Sequence, residues 1–115
     1  MATQTDLDGI VACIVAREDP ERIYLFGSYA KNTAHSGSDI DLLIIQPSRL
    51  PRHHRGRAAK AMLSPFPKRF HLLFYTPQEL ADELRHPFSF MSKIIQTAKL
   101  LFESTSRRFR QNSIP

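Results

Sequence analysis

Tryptophan is absent from this chain and cysteine occurs once, as Cys13. A lone cysteine excludes an internal disulfide framework. Together with the lack of a signal-type N-terminal segment, it leads us to expect a reducing cytosol. No apolar run approaches the roughly 20 residues needed to cross a bilayer, so a soluble protein with no membrane association is expected. Repeats and low-complexity tracts are missing as well. The most informative absence is of acid: between Asp41 and Glu79 there is no carboxylate. Arg49, Arg52, Arg55, Arg57, Lys60, Lys68 and Arg69 all fall there and give that interval +7, against +5 for the whole chain. Such a stretch is either a solvated loop or helix face, or a surface for phosphates or an acidic partner, and charge alone does not choose.

What is present is the composition of one globular domain: 115 residues, 42% hydrophobic and 23% charged. That length excludes a multidomain enzyme carrying its own substrate-specificity module. Leu7, Ile10, Val11, Ile14 and Val15 have the spacing of a helix with one buried stripe, capped by Asp6 or Thr5 and ended by Asp19-Pro20. Arg22–Phe26, Asp39–Ile45 and Arg69–Tyr75 read as strands rich in β-formers. Arg57–Leu63 reads as a short helix, and Thr76-Pro77-Gln78-Glu79 as a helix start. Phe88, Met91, Ile94 and Ile95 predict a second amphipathic helix, and Lys99–Phe102 a last strand. The expected fold class is α/β (α+β), a small mixed β-sheet flanked by helices over residues 1–103. A basic polar tail, 104–115, is expected to be frayed.

The chemistry concentrates between Gly27 and Asp41. A strand runs into Gly27-Ser28, a short turn or helix follows, and a second strand opens with Asp39 and Asp41, two apart and therefore on one side of the pleat. Gly27 lets a phosphate approach the backbone, and Ser28 offers a hydroxyl and an amide at a helix N-terminus that favours anions. Lys31 is a further candidate phosphate contact. Two carboxylates on one side of a strand suit Mg²⁺, which prefers oxygen and completes its shell with substrate phosphates.

This stretch resembles the nucleotidyltransferase superfamily typified by DNA polymerase β, whose signature is Gly-Ser, ten residues, then Asp-x-Asp. Ten residues, Tyr29–Ser38, separate Ser28 from Asp39 here. The chain is similar to the minimal nucleotidyltransferases, also in Phe74–Glu79, Phe88–Met91 and Leu100–Glu103, so the resemblance covers roughly residues 6–103. It implies a nucleotidyltransferase fold, a nucleoside triphosphate (ATP) as substrate, Mg²⁺ or Mn²⁺ as cofactor held by Asp39 and Asp41, and nucleotide binding at Gly27, Ser28 and Lys31. The family places a third carboxylate on the next strand, at the position of His71 in this chain. With no acid from Asp41 to Glu79, no shift of register recovers it. An imidazole there can act as a base, or as a ligand better suited to Mn²⁺ or Zn²⁺ than to Mg²⁺. Asp39, Asp41 and His71 are thus the candidate catalytic set.

Two functions follow from the resemblance. The first is an enzyme moving a nucleoside monophosphate, AMP from ATP, to a hydroxyl of a protein or small molecule. The second is a catalytically weak or inactive binding module that neutralises a partner by complex formation. Minimal nucleotidyltransferases are often antitoxins paired with a helical HEPN-type RNase toxin, so that partner is implied, and a homo-oligomer remains open. Direct nucleic-acid binding through Arg49–Lys60 is disfavoured because that stretch has no interleaved aromatics. His53-His54 read as loop residues rather than a metal site. Cys13 reads as a structural thiol.

Overall fold

The stripe Leu7, Ile10 and Ile14 folds as helix α1 (Gln4–Arg17) in the computed structural model, which describes residues 2–104. Its cap is Thr3, not Thr5 or Asp6. The Thr3 hydroxyl accepts from the Asp6 amide and the Asp6 carboxylate accepts from the Thr3 amide, a reciprocal capping box. Strands β1 (Arg22–Phe26) and β2 (Ile40–Ile45) pair antiparallel. A single 3₁₀ turn (Arg52–His54) and the short helix α2 (Arg57–Leu63) then carry the chain to β3 (Phe70–Tyr75), parallel to β2. Helices α3 (Pro77–Leu84) and α4 (Phe90–Thr97) precede β4 (Lys99–Glu103), which returns antiparallel to β1. The sheet order is β3-β2-β1-β4, a mixed sheet as expected.

Period-two alternation gives this sheet two apolar faces. On one, Ile23, Leu25, Ile40, Leu42, Ile44 and Phe74 pack with Leu7, Ile10 and Ile14 of α1 and with Ala59 and Leu63 of α2. On the other, Phe26, Leu43, Ile45 and Tyr75 pack with Leu80 of α3 and with Met91 and Ile94 of α4. Helices therefore cover both faces, which is why β2 is buried along nearly its whole length. Glu18, at the end of α1, ties the first face together: its carboxylate accepts from the Gln46 side chain at 2.9 Å and from the Ala59 amide at 3.3 Å.

The Thr76–Glu79 helix start forms as expected, a capping box with Pro77 in the first turn. Phe88 does not join α4. Ser89 caps that helix, Phe88 precedes it, and its ring is 87% exposed. The segment between β1 and β2 is turns rather than a helix. One helical turn forms at Gly27–Lys31, and Asn32 then takes a left-handed conformation (φ 59°) while the Thr33 amide bonds back to the Ser28 carbonyl, a Schellman-type stop. The tail expected at 104–115 lies outside the described residues except for Ser104, whose amide donates to the Glu21 carbonyl at 2.8 Å.

Candidate functional site

Parallel pairing sets Asp41 of β2 directly beside His71 of β3. Both share the α3–α4 face with Leu43 and Leu73, but they lie at its end, where Asp41 remains partly and His71 half exposed. His71 Nδ1 stands 3.4 Å from Asp41 Oδ1. Phe26, the cross-strand partner of Asp41 on β1, presents its ring edgewise to the imidazole at 6.0 Å. Burial raises the Asp41 pKa above its ordinary value; His71 opposes this and nearby Asp39 adds to it. Asp39 immediately precedes β2 and is about half exposed. Its Oδ1 is 2.9 Å from Arg69 Nε, while Arg69 also donates to the Gly37 carbonyl at 2.8 Å. Asp39-x-Asp41 therefore lies alongside Arg69-x-His71, each acid faced by a base on the neighbouring strand.

The Gly-Ser turn packs against the same carboxylate. Gly27 is left-handed (φ 72°), and a Cβ there would overlap Asp41 Oδ2 and sit 3.1 Å from Asp41 Cγ. Glycine is thus required twice, by the backbone and by the acid behind it. Gly27→Ala is expected to destabilise the fold by about 1–2 kcal/mol from the left-handed conformation alone, and to displace Asp41; denaturant unfolding measures the first effect. The Gly27 carbonyl accepts from the Ala30 and Lys31 amides, so Gly27 stands as a cap, and the Ser28 and Tyr29 amides are the leading donors of the turn, with no carbonyl of that turn to bond. Tyr29 and Ala30 anchor this turn in the α1–α2 core, the Tyr29 hydroxyl accepting from the Ala2 amide at 3.0 Å. Lys31 is exposed. The structure therefore brings Gly27, Asp41 and His71 together with Asp39 within electrostatic reach. Of the short turn or helix expected behind Ser28, the turn is what forms.

Among the described residues, no three His, Cys, Asp or Glu side chains gather into a group able to cage a metal ion. The donors present fit a different mode, an ion held through one or two carboxylates and completed by phosphates and water, which is how Mg²⁺ is commonly bound. The imidazole beside them widens the choice towards Mn²⁺.

Sequence reasoning missed Arg69 because its partner is set by a parallel register, which no local pattern reveals. For the basic stretch it left a solvated face and a binding surface as alternatives, and the contacts divide the stretch instead. Arg55 is buried, donating to both carboxylate oxygens of Glu79 (2.6 and 3.2 Å) and to the Leu50 and Phe74 carbonyls. Arg52 lies over the Tyr75 ring at 3.9 Å and 3.5 Å from Glu79. Two of the five cations of Arg49–Lys60 are thus engaged in holding the loop before α2 onto β3 and α3. His53 and His54 stack at 4.2 Å and approach no third ligand among the described residues. No described helix is long and apolar enough to cross a membrane.

The sequence profile of the nucleotidyltransferase domain family matches residues 7–108. The chain belongs to that family. Its fold is similar to that of a toxin–antitoxin solved with AMP-PNP, at 22% identity and a TM-score of 0.61, covering 90% of this chain and 77% of the other. A variant of the MntA–HpeT toxin–antitoxin aligns at 19% identity and 0.59 over the same shares. The complex of a tri-AMPylated Shewanella oneidensis HEPN toxin with its MNT antitoxin aligns at 17% and 0.56, covering 93% and 77%. At these identities the likeness shows the fold. None of the curated proteins matches the sequence.

Proposed function

We propose that this nucleotidyltransferase-family protein transfers AMP from ATP to a hydroxyl of a helical HEPN-type partner, acting as its antitoxin in the cytoplasm. The observation that carries this reading is the packing of Gly27 directly on Asp41, because it couples the phosphate-binding turn to a candidate metal ligand. In support, structurally similar chains are found in a toxin–antitoxin solved with AMP-PNP and in a complex with a tri-AMPylated toxin.

In this proposal the Ser28 hydroxyl, the Ser28 and Tyr29 amides and Lys31 receive the β- and γ-phosphates, which point away from the transferred group. Asp39 and Asp41 would hold Mg²⁺ or Mn²⁺, which when bound neutralises charge on the transferring phosphoryl group. For Asp39 to do so, it exchanges Arg69 for the ion. The acceptor oxygen bonds to the α-phosphorus, the bond to the bridging oxygen breaks, and pyrophosphate leaves. His71, whose Nδ1 faces Asp41, presents Nε2 to take the acceptor proton. It supplies no anionic oxygen at the third position, so transfer is slow in Mg²⁺.

A second reading is favoured by the pairing of Asp39 with Arg69 and of Asp41 with His71. Here the protein grips its partner and transfers nothing. Incubation with α-labelled ATP, Mn²⁺ and the product of the adjacent reading frame separates the two. Covalent label on that protein is the expected result. A stable complex that never acquires label establishes the second reading, and neither label nor complex overturns both.

A further inference from the structure

The seven cations of the acid-free stretch separate once their contacts are followed. Arg52 and Arg55 converge on Glu79, Arg57 lies 2.6 Å from His54 Nδ1, and Arg69 holds Asp39. Lys60 and Lys68 form no contact ion pair with a described residue. These two line a hollow of about 270 Å³ between α2 and the edge strand β3, together with Ser64 and the apolar wall Leu63, Phe70 and Leu72. Lys68 also lines a second hollow, of about 340 Å³, with Ser36, Ser38, Phe66 and Arg69. The two meet at Lys68, which lines both, and are taken together as one groove. It begins beside Asp39 and passes round the start of β3 to the face opposite His71.

Neither hollow has a carboxylate in its described lining. Asp6 lies within electrostatic reach of Lys68, but its carboxylate is engaged by the Thr3 amide in the α1 cap. Phe66 and Phe70, one in each hollow, meet edge to face at 6.3 Å. Cations therefore recur along the groove with an aromatic ring and at least one serine hydroxyl in each half. That is the chemistry of a strand of alternating phosphates and bases. Each hollow is at the low end of the size of a small-ligand site, whereas a flexible chain passing along both repeats the same contacts. A duplex is too stiff and wide to enter either.

We propose that this groove binds a single-stranded oligonucleotide, with phosphodiester groups on Lys60, Lys68 and Arg69 and bases against Phe66 and Phe70. The site takes only Lys60 from the Arg49–Lys60 segment, whose central arginines are internally engaged, and does not depend on nucleotide transfer.

Fluorescence anisotropy of a labelled oligouridylate, titrated with the protein over a range of salt, tests it. Three phosphate contacts predict a log–log salt slope of about −2. Lys60→Gln with Lys68→Gln is expected to weaken binding more than tenfold and flatten the slope by about 1.4. Arg49→Gln, in the same basic stretch but outside both hollows, is expected to change it by less than about twofold, which sets aside a diffuse charge effect. Asp39→Asn with Asp41→Asn disables the proposed transfer and should leave oligonucleotide binding intact or stronger. The proposal is overturned if the probe does not bind at low salt, if Arg49→Gln weakens it as much as the lysine pair does, or if AMP in modest excess displaces it. The last result marks a site for free phosphates. Circular dichroism melts confirm that each variant is folded.

Discussion

Replacing Asp39 and Asp41 together by Asn is expected to lower AMP transfer by about a thousandfold or more, with no loss of fold stability. The two effects have opposite signs for one reason. Asp41 is held ionised against partial burial and a neighbouring carboxylate, so its pKa is raised and its charge is a cost to the fold at neutral pH. A group of this kind destabilises the native state above its native pKa, and the cost fades as acid protonates it. Asn removes that cost and with it the ability to hold a cation. Thermal midpoints with and without Mg-ATP check both halves. The wild type should be stabilised by nucleotide and metal; the double variant should melt no lower than the apo wild type and be indifferent to them. Stabilisation by Mg-ATP that survives the substitution places the nucleotide elsewhere.

The largest stability effect is expected far from the carboxylates. Glu79→Gln leaves the buried Arg55 guanidinium without its counter-charge and should cost about 3 kcal/mol, measured by urea unfolding. Arg55 stays hydrogen-bonded to the Leu50 and Phe74 carbonyls, so the loop loosens rather than detaches. The same pair predicts an acid transition. Arg55 first, together with the Thr76 cap and Arg52, holds the Glu79 pKa down at about 2, against 4.5 for an ordinary glutamate. Stability from this carboxylate is complete above its unfolded pKa and is lost as pH falls from about 4.5 towards 2. Glu79→Gln should abolish that part of the pH dependence.

Much of the architecture was legible because it rests on periodicity. The α1 stripe, the apolar and aromatic runs of β1 and β2, and the Thr76–Glu79 box each specify local structure that tertiary packing then reinforces. The proximity of His71 to Asp41 was also anticipated, since resemblance to the family had placed His71 at the third acidic position. What escaped was decided by local conformations that the residues permit without demanding, and by distant partners. The left-handed Asn32 ends the turn after Ser28, and Asn is tolerant of that conformation without demanding it. Phe88 fits a helical stripe, yet Ser89 supplies the better cap and leaves the ring outside. Arg55 and Glu79, 24 residues apart, become an internal pair only when the loop before α2 folds onto α3. Arg69 meets Asp39 only in the parallel register of β2 and β3.

The central claim is that Asp39 and Asp41 form a transfer centre limited by the imidazole at position 71. It is tested most directly by comparing AMP transfer by the wild type and His71→Asp in Mg²⁺ and in Mn²⁺, with the same partner protein. The wild type should be slow in Mg²⁺ and faster in Mn²⁺, which accepts nitrogen more readily. His71→Asp should raise the Mg²⁺ rate by about tenfold by restoring an oxygen ligand. Rapid Mg²⁺-dependent transfer by the wild type, unchanged or reduced in His71→Asp, would contradict the account.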